Sequence, residues 1–128
     1  MKLHLATPDG QHLITGYDEK SIAINHQKYT KSLVVTPEAV IDDWLDESAE
    51  EHAFSMLTNT NFSKIVTLKP ELVLLGTGRK HQFLHPKHYD ALTQIGVAVE
   101  CMNTAAACRT YNILRSEGRF VAAALLIE

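Results

Sequence analysis

The sequence predicts an α/β domain, and three observations carry that prediction. The first third alternates short apolar runs with turn residues, as a β-meander does. The stretch from Leu72 to Glu117 reads strand, helix, strand, helix. Phe120 to Ile127 is apolar almost without alternation, as a central strand covered on both faces must be. At 128 residues, 45% hydrophobic and 21% charged, the chain has the balance of one ordinary domain over residues 1–128. A chain of this length buries roughly two-thirds of its unfolded surface, so its core needs no disulfide or metal.

The elements follow in order. Thr7-Pro8-Asp9-Gly10 is turn chemistry, with Pro fixing one dihedral and Gly accepting positive φ, and it predicts a hairpin between Leu3–Ala6 and Gln11–Tyr17. Ser21–Ile24 and Lys28–Thr36 continue the meander, parted by Asn25-His26. Leu33–Thr36 is β-branched enough to be a buried strand that stops before Pro37. Ser48-Ala49-Glu50-Glu51 has the form of a capping box, predicting a short helix to about Thr58 with Ala53, Phe54 and Leu57 on one face. Asn61 is placed to cap another helix bearing Phe62, Ile65 and Val66, with Pro70 beyond its end; Ile65–Leu68 also reads as a strand, and helix is preferred.

Leu72-Val73-Leu74-Leu75 is a continuous apolar run ending at Gly76. A helix then opens at Pro86 and closes before Gly96, with Tyr89, Leu92 and Ile95 on its buried side. Val97–Cys101 is the next strand, Asn103 or Thr104 caps a helix through Glu117, and Gly118 ends it. Strand–helix–strand in this order implies a right-handed parallel crossover. Ala122, Ala123 and Ala124 leave room for close helix packing.

Charge and hydropathy exclude some functions. The formal net charge of −3 argues against general affinity for nucleic acid or anionic lipid. Acidity concentrates in Asp42, Asp43, Asp46, Glu47, Glu50 and Glu51, and Ser32 to Ser63 contains no Lys or Arg, which reads as a solvated face. No apolar run reaches the length of a membrane span, and Pro8, Asp9 and Gly10 interrupt the N-terminus before a signal core forms, so a cytoplasmic protein without membrane insertion is expected.

Candidate chemistry converges on one place. Gly76-Thr77-Gly78-Arg79-Lys80 leaves the carboxyl end of one parallel strand, while Asn103-Thr104 leaves the next and opens a helix. Such ends line the usual ligand crevice of an open α/β sheet. Free amides at the helix start and the Arg79 and Lys80 cations favour an anion there, whereas the bland reading is that the glycines only make a turn. The third glycine of a dinucleotide fingerprint is missing, His81 standing in its place, and the Gly-Lys-Ser/Thr of a P-loop is absent. Arg109 either reaches toward the Gly76–Lys80 loop or pairs with Glu100 or Glu117. Tyr111, on the side of Ala107 and Leu114, reads as core.

His81, His85 and His88 are spaced by four and three, but Pro86 intervenes and no Cys-x-x-Cys pair exists, so they read as surface or capping residues. Cys101 and Cys108 read as small buried side chains, with a cation-activated Cys108 thiolate beside Arg109 the minority alternative. No Ser/His/Asp order and no paired carboxylates suggest catalysis. No cofactor is expected.

Leu72-Val73-Leu74-Leu75-Gly76-Thr77-Gly78, then Gly96-Val97-Ala98-Val99-Glu100, Thr104-Ala105-Ala106-Ala107-Cys108-Arg109-Thr110-Tyr111-Asn112 and Ala122–Leu126 together resemble the Mth-type domain-of-unknown-function family. That family includes a mitochondrial assembly factor for respiratory complex I and an adipogenesis-associated protein. The resemblance is strong from Glu71 to Ile127, and weaker before it at Ser32–Pro37 and Trp44. It implies a three-layer domain with a central mixed sheet, flanking helices and an additional N-terminal β-meander. It implies no established enzyme activity, and a binding task. The resulting expectation is a non-enzymatic binding or assembly-accessory domain that meets a protein partner at Gly76, Thr77, Gly78, Arg79, Lys80, Asn103, Thr104 and Arg109. The alternative is a small enzyme or sensor that takes an anionic metabolite in the same crevice.

Overall fold

The computed structural model describes residues 11–127. A three-stranded antiparallel sheet comes first: β1 (Ile14–Tyr17), β2 (Ile22–Ile24) and β3 (Gln27–Tyr29). Asn25 and His26 both take positive φ, 49° and 70°, which makes the β2–β3 connection a two-residue turn whose twist matches its strands. The meander is therefore present, while the Leu3–Ala6 arm of the expected hairpin lies outside the described residues.

The second sheet has the order β5-β4-β8-β6-β7, built from β4 (Leu33–Val35), β5 (Val40–Ile41), β6 (Leu72–Gly76), β7 (Ala98–Met102) and β8 (Val121–Leu125). β6 runs parallel to both β7 and β8, and β4 runs antiparallel to β8 and β5, so the sheet is mixed. The expected Lys28–Thr36 strand divides at Thr30–Ser32: β3 stays in the meander and β4 crosses into the larger sheet. Ser32 marks the corner, its hydroxyl accepting from Ile127 N at 3.0 Å. β8 is central, and all five of its residues are buried.

Helices cover one face of this sheet and a helix with the meander covers the other. On the first, α1 (Ala53–Met56), α2 (Asn59–Val66) and α3 (Asp90–Thr93) enclose Trp44, Phe62, Ile65 and Leu92 with Val73, Leu75, Ala122 and Ala124 from the sheet. On the second, α4 (Thr104–Ser116) and the meander enclose Ile14, Ile22, Tyr111 and Cys108 with Leu74, Val121, Ala123 and Leu125. Successive strand residues alternate between the two cores, as the pleat demands. The alanines of β8 let both layers approach closely.

Asn112 seams the meander to α4. Its amide accepts from Ile14 N at 3.0 Å and donates to Ile14 O at 2.8 Å, so one side chain satisfies both main-chain groups of a strand residue. Tyr111 donates its hydroxyl to His12 O at 2.9 Å beside it.

Several local expectations change. The Ser48 capping box does not form, because a 3-10 turn over Glu47–His52 starts behind Asp46 and leaves Ser48 inside it; Glu50 of that turn accepts from Ser32 N at 3.1 Å, at the start of β4. The capping box that does form joins Thr58 to Asn61, which sits inside α2 rather than at its cap. The helix expected to open at Pro86 and close before Gly96 is a 3-10 turn (Pro86–Tyr89) followed by α3, which stops at Thr93; Gly96 then turns the chain at φ +79°. Ile95 therefore falls beyond the helix and is 52% exposed, not buried.

Candidate functional site

β6 ends at Gly76 directly under the first turn of α4. A Cβ there would lie 2.9 Å from both Cα and Oγ1 of Thr104 and 3.1 Å from Leu125 Cδ2, so only glycine lets the helix start so close to the strand. Thr104 uses that closeness. Its hydroxyl donates to Leu126 O at 2.7 Å and accepts from Gly78 N at 2.9 Å, and its amide donates to Gly78 O at 2.9 Å. One residue thus ties together the ends of β6 and β8 and the start of α4.

Thr77 does the same one layer down. It is fully buried; its amide donates to Met102 O at 2.8 Å, and its hydroxyl lies 2.6 Å from Lys80 O and accepts from Gln82 N at 3.0 Å. Gly78 takes φ +99°, which lets the chain turn between these contacts. Asn103 caps α4 by accepting from Ala106 N at 2.8 Å. The helix-start amides expected to greet an anion are largely engaged by the protein itself.

Above these contacts opens a crevice of about 340 Å³ at the carboxyl ends of β6 and β8. Gly78 and Arg79 form one side, Asn103, Thr104 and Ala105 a second, and Ile127 adds apolar surface over the buried Leu126; Tyr17, Asp18 and Glu19 close it from the meander. Arg79 Nε stands 3.6 Å from Glu19 Oε1, both side chains well exposed. Arg109 Nη1 donates to the Tyr17 hydroxyl at 3.1 Å rather than pairing with Glu100 or Glu117. Asp18 accepts from Lys20 N at 2.8 Å and from the Ser21 hydroxyl at 3.1 Å, and these bonds hold its carboxyl below the usual range. The Glu19 carboxylate therefore faces Arg79 across the opening.

Of the eight residues singled out in the sequence, Gly78, Arg79, Asn103 and Thr104 line the crevice. Gly76 and Thr77 lie beneath it as supports, Arg109 touches it through Tyr17, and the exposed Lys80 side chain is not part of its lining. Sequence reasoning missed Tyr17, Asp18 and Glu19. They look like an ordinary β1–β2 turn, and no local signal tells that this turn folds over the strand ends.

Among the sulfur and imidazole candidates, Cys108 and His85 have structural roles. Cys108 is buried and its thiol is pushed up to about 12 by that burial, weakly opposed by the Arg109 charge, so it is no activated thiolate. Cys101 and Cys108 are both free. His85 accepts from Lys87 N at 3.1 Å and caps its 3-10 turn. Among the described residues no cluster of three or more His, Cys, Asp or Glu is placed to hold a metal, and no helix is long and apolar enough to cross a membrane.

Mixed sheet, flanking helices, meander and glycine-bounded strand-end crevice define a class of small α/β domains. The chain belongs to the family described as "Protein of unknown function (DUF498/DUF598)", whose profile matches residues 14–126. It is similar to the mouse protein called NADH dehydrogenase [ubiquinone] 1 alpha subcomplex assembly factor 3, with 35% identity over 115 residues that cover 88% of this chain. The match covers only 59% of that relative's length. A Bordetella parapertussis crystal structure superimposes with a TM-score of 0.80 at 33% identity, covering 92% of this chain and 97% of that one. A Xanthomonas campestris NMR structure gives 0.77 at 31% identity, covering 99% and 92%.

Proposed function

We propose that this chain is a single non-enzymatic domain that docks a protein partner, in an assembly-accessory role, at the crevice around Gly78, Arg79, Asn103 and Thr104. The observation that supports it most is the pairing inside the crevice. Thr77, Asn103 and Thr104 are occupied in holding strand and helix ends together, leaving an opening with apolar surface from Ile127, rimmed by Tyr17 and Arg79, with Arg109 bonded to Tyr17 behind it. Tyrosine and arginine beside apolar surface suit a protein contact. The assembly-factor name of the mouse relative points the same way, although it belongs to a longer protein. Two unpaired cysteines fit a reducing compartment, in keeping with the cytoplasm.

The test is affinity isolation of the tagged chain from its own cells at low salt, alongside a Tyr17→Ala, Arg79→Ala double variant. The expected result is one protein recovered in near-stoichiometric amount with the natural chain and reduced about tenfold or more with the variant. Recovery of a small anionic molecule, with no such protein, would overturn the reading.

A further inference from the structure

The outer edge of β7 is open. Among the described residues β7 pairs only with β6, and with five residues it is the longer edge of the larger sheet, since β5 at the other end has two. None of its five residues is buried, whereas β4 and β8 are buried throughout. Its register with β6 runs from Leu72↔Ala98 to Gly76↔Met102 without a bulge, and it contains no proline.

The direction of its main-chain groups can be assigned. Met102 O accepts from Thr77 N at 2.8 Å, so Met102 turns its amide and carbonyl toward β6. In a parallel ladder that role falls on alternate residues, hence on Glu100 and Ala98 as well. Val99 and Cys101 therefore direct their N–H and C=O groups outward, and these four groups have no partner among the described residues. Val97 N, which would extend the row, is taken by Leu92 O at 3.0 Å. A row of outward main-chain groups in extended geometry fits one kind of partner, another β-strand.

We infer that β7 accepts an added strand from a different protein, one carrying Lys or Arg opposite Glu100. A second copy of this chain fits badly. An antiparallel self-pair that uses all four outward groups must match Val99 with Cys101 of the other copy, and that register sets Glu100 against Glu100 in the close, non-hydrogen-bonded position. Glu100 is exposed and has no ion pair among the described residues, so a cationic side chain in that position gains a partner that nothing here already supplies. Ala98 leaves space beside it for a long side chain. The ends of the described chain are held elsewhere: His12 N bonds Pro37 O at 3.0 Å and Ile127 N bonds Ser32, both on the β4 side of the sheet. The inference is independent of the crevice reading.

The probe is an acetylated, amidated peptide, Ser-Val-Thr-Lys-Thr-Val-Ser, titrated into isotope-labelled protein and followed by amide chemical shifts. Shifts should centre on Val99 and Cys101 and leave Gly78 and Thr104 unmoved. The Lys-centred peptide should bind about threefold to tenfold more tightly than its Glu-centred twin, and Glu100→Lys should reverse that order. N-methylation of the two Thr residues should abolish binding, and so should Val99→Pro, which removes an outward amide while leaving the β6 ladder intact. Shifts centred on the crevice, equal affinity for both peptides, or dimerisation of the chain through Ala98–Met102 would each overturn the inference.

Discussion

The strand ends at Gly76 and Leu125 and the outer edge of β7 belong to one sheet, yet they dispose of their polar groups in opposite ways. At the strand ends, glycines, threonines and an asparagine that look like ligand-binding residues are bonded to one another: Thr104 serves Leu126 O and Gly78 N, and Asn103 serves Ala106 N. Along β7, an unremarkable apolar run leaves Val99 and Cys101 with main-chain groups directed at nothing among the described residues. Residue type alone is a poor guide to where bonding capacity remains. The accounting of each donor and acceptor decides it.

The largest effects should come from the strand ends. Thr104→Val strands Gly78 N–H and Leu126 C=O and should cost about 2 to 4 kcal/mol in urea unfolding, while Thr104→Ser, which keeps the hydroxyl, should cost under about 1 kcal/mol. Gly76→Ala forces a Cβ against the Thr104 backbone and should cost roughly 3 kcal/mol. Were Thr104→Val silent, the residue would be free for a ligand and the contrast with β7 would collapse.

The next effect sharpens the comparison through Cys108. Its buried thiol holds its proton up to about 12, against an ordinary value of 9.0. The unfolded chain sheds that proton first, so stability present below pH 9 should decline as pH rises from about 9 toward 12. Cys108→Ala should flatten that decline and itself cost about 1 to 2 kcal/mol through lost packing, with no dependence on reductant. Iodoacetamide at pH 8 should label the half-buried Cys101, at the open edge, and spare Cys108.

How much of this was legible before the structure depends on whether the signal was local. β6, β8 and α4 were readable because continuous apolar runs, an Asn cap and Gly118 each act within a few residues. Ser48 looked like a cap but failed because the turn starts earlier, behind Asp46, which leaves Ser48 inside it. Ile95 was misplaced because the helix stops at Thr93, short of the Gly96 that the sequence offered as its end, so the helical spacing from Leu92 no longer carries Ile95 inward. The crevice was half legible: its floor came from strand-end logic, its Tyr17–Glu19 wall from a tertiary fold-over with no local mark. Glu100, a lone charge within an apolar strand, was the one hint that β7 is an edge.

Smaller effects follow. His26→Gly relieves a non-glycine residue at φ 70° and should stabilise the chain by roughly 0.5 kcal/mol. The smallest expected difference is none at all. Sulfate should raise the melting temperature of the natural chain and of an Arg79→Ala, Lys80→Ala variant equally, by exclusion from the surface. A rise confined to the natural chain would restore the anion-site alternative.

Amide hydrogen exchange on the isolated protein tests the contrast most directly. Gly78, Thr104, Ala98, Glu100 and Met102 should exchange slowly, because each donates within the fold, while Val99 and Cys101 between them exchange fast, giving an alternating pattern along one strand. Uniform protection across Ala98–Met102, or rapid exchange at Gly78 and Thr104, would contradict the account.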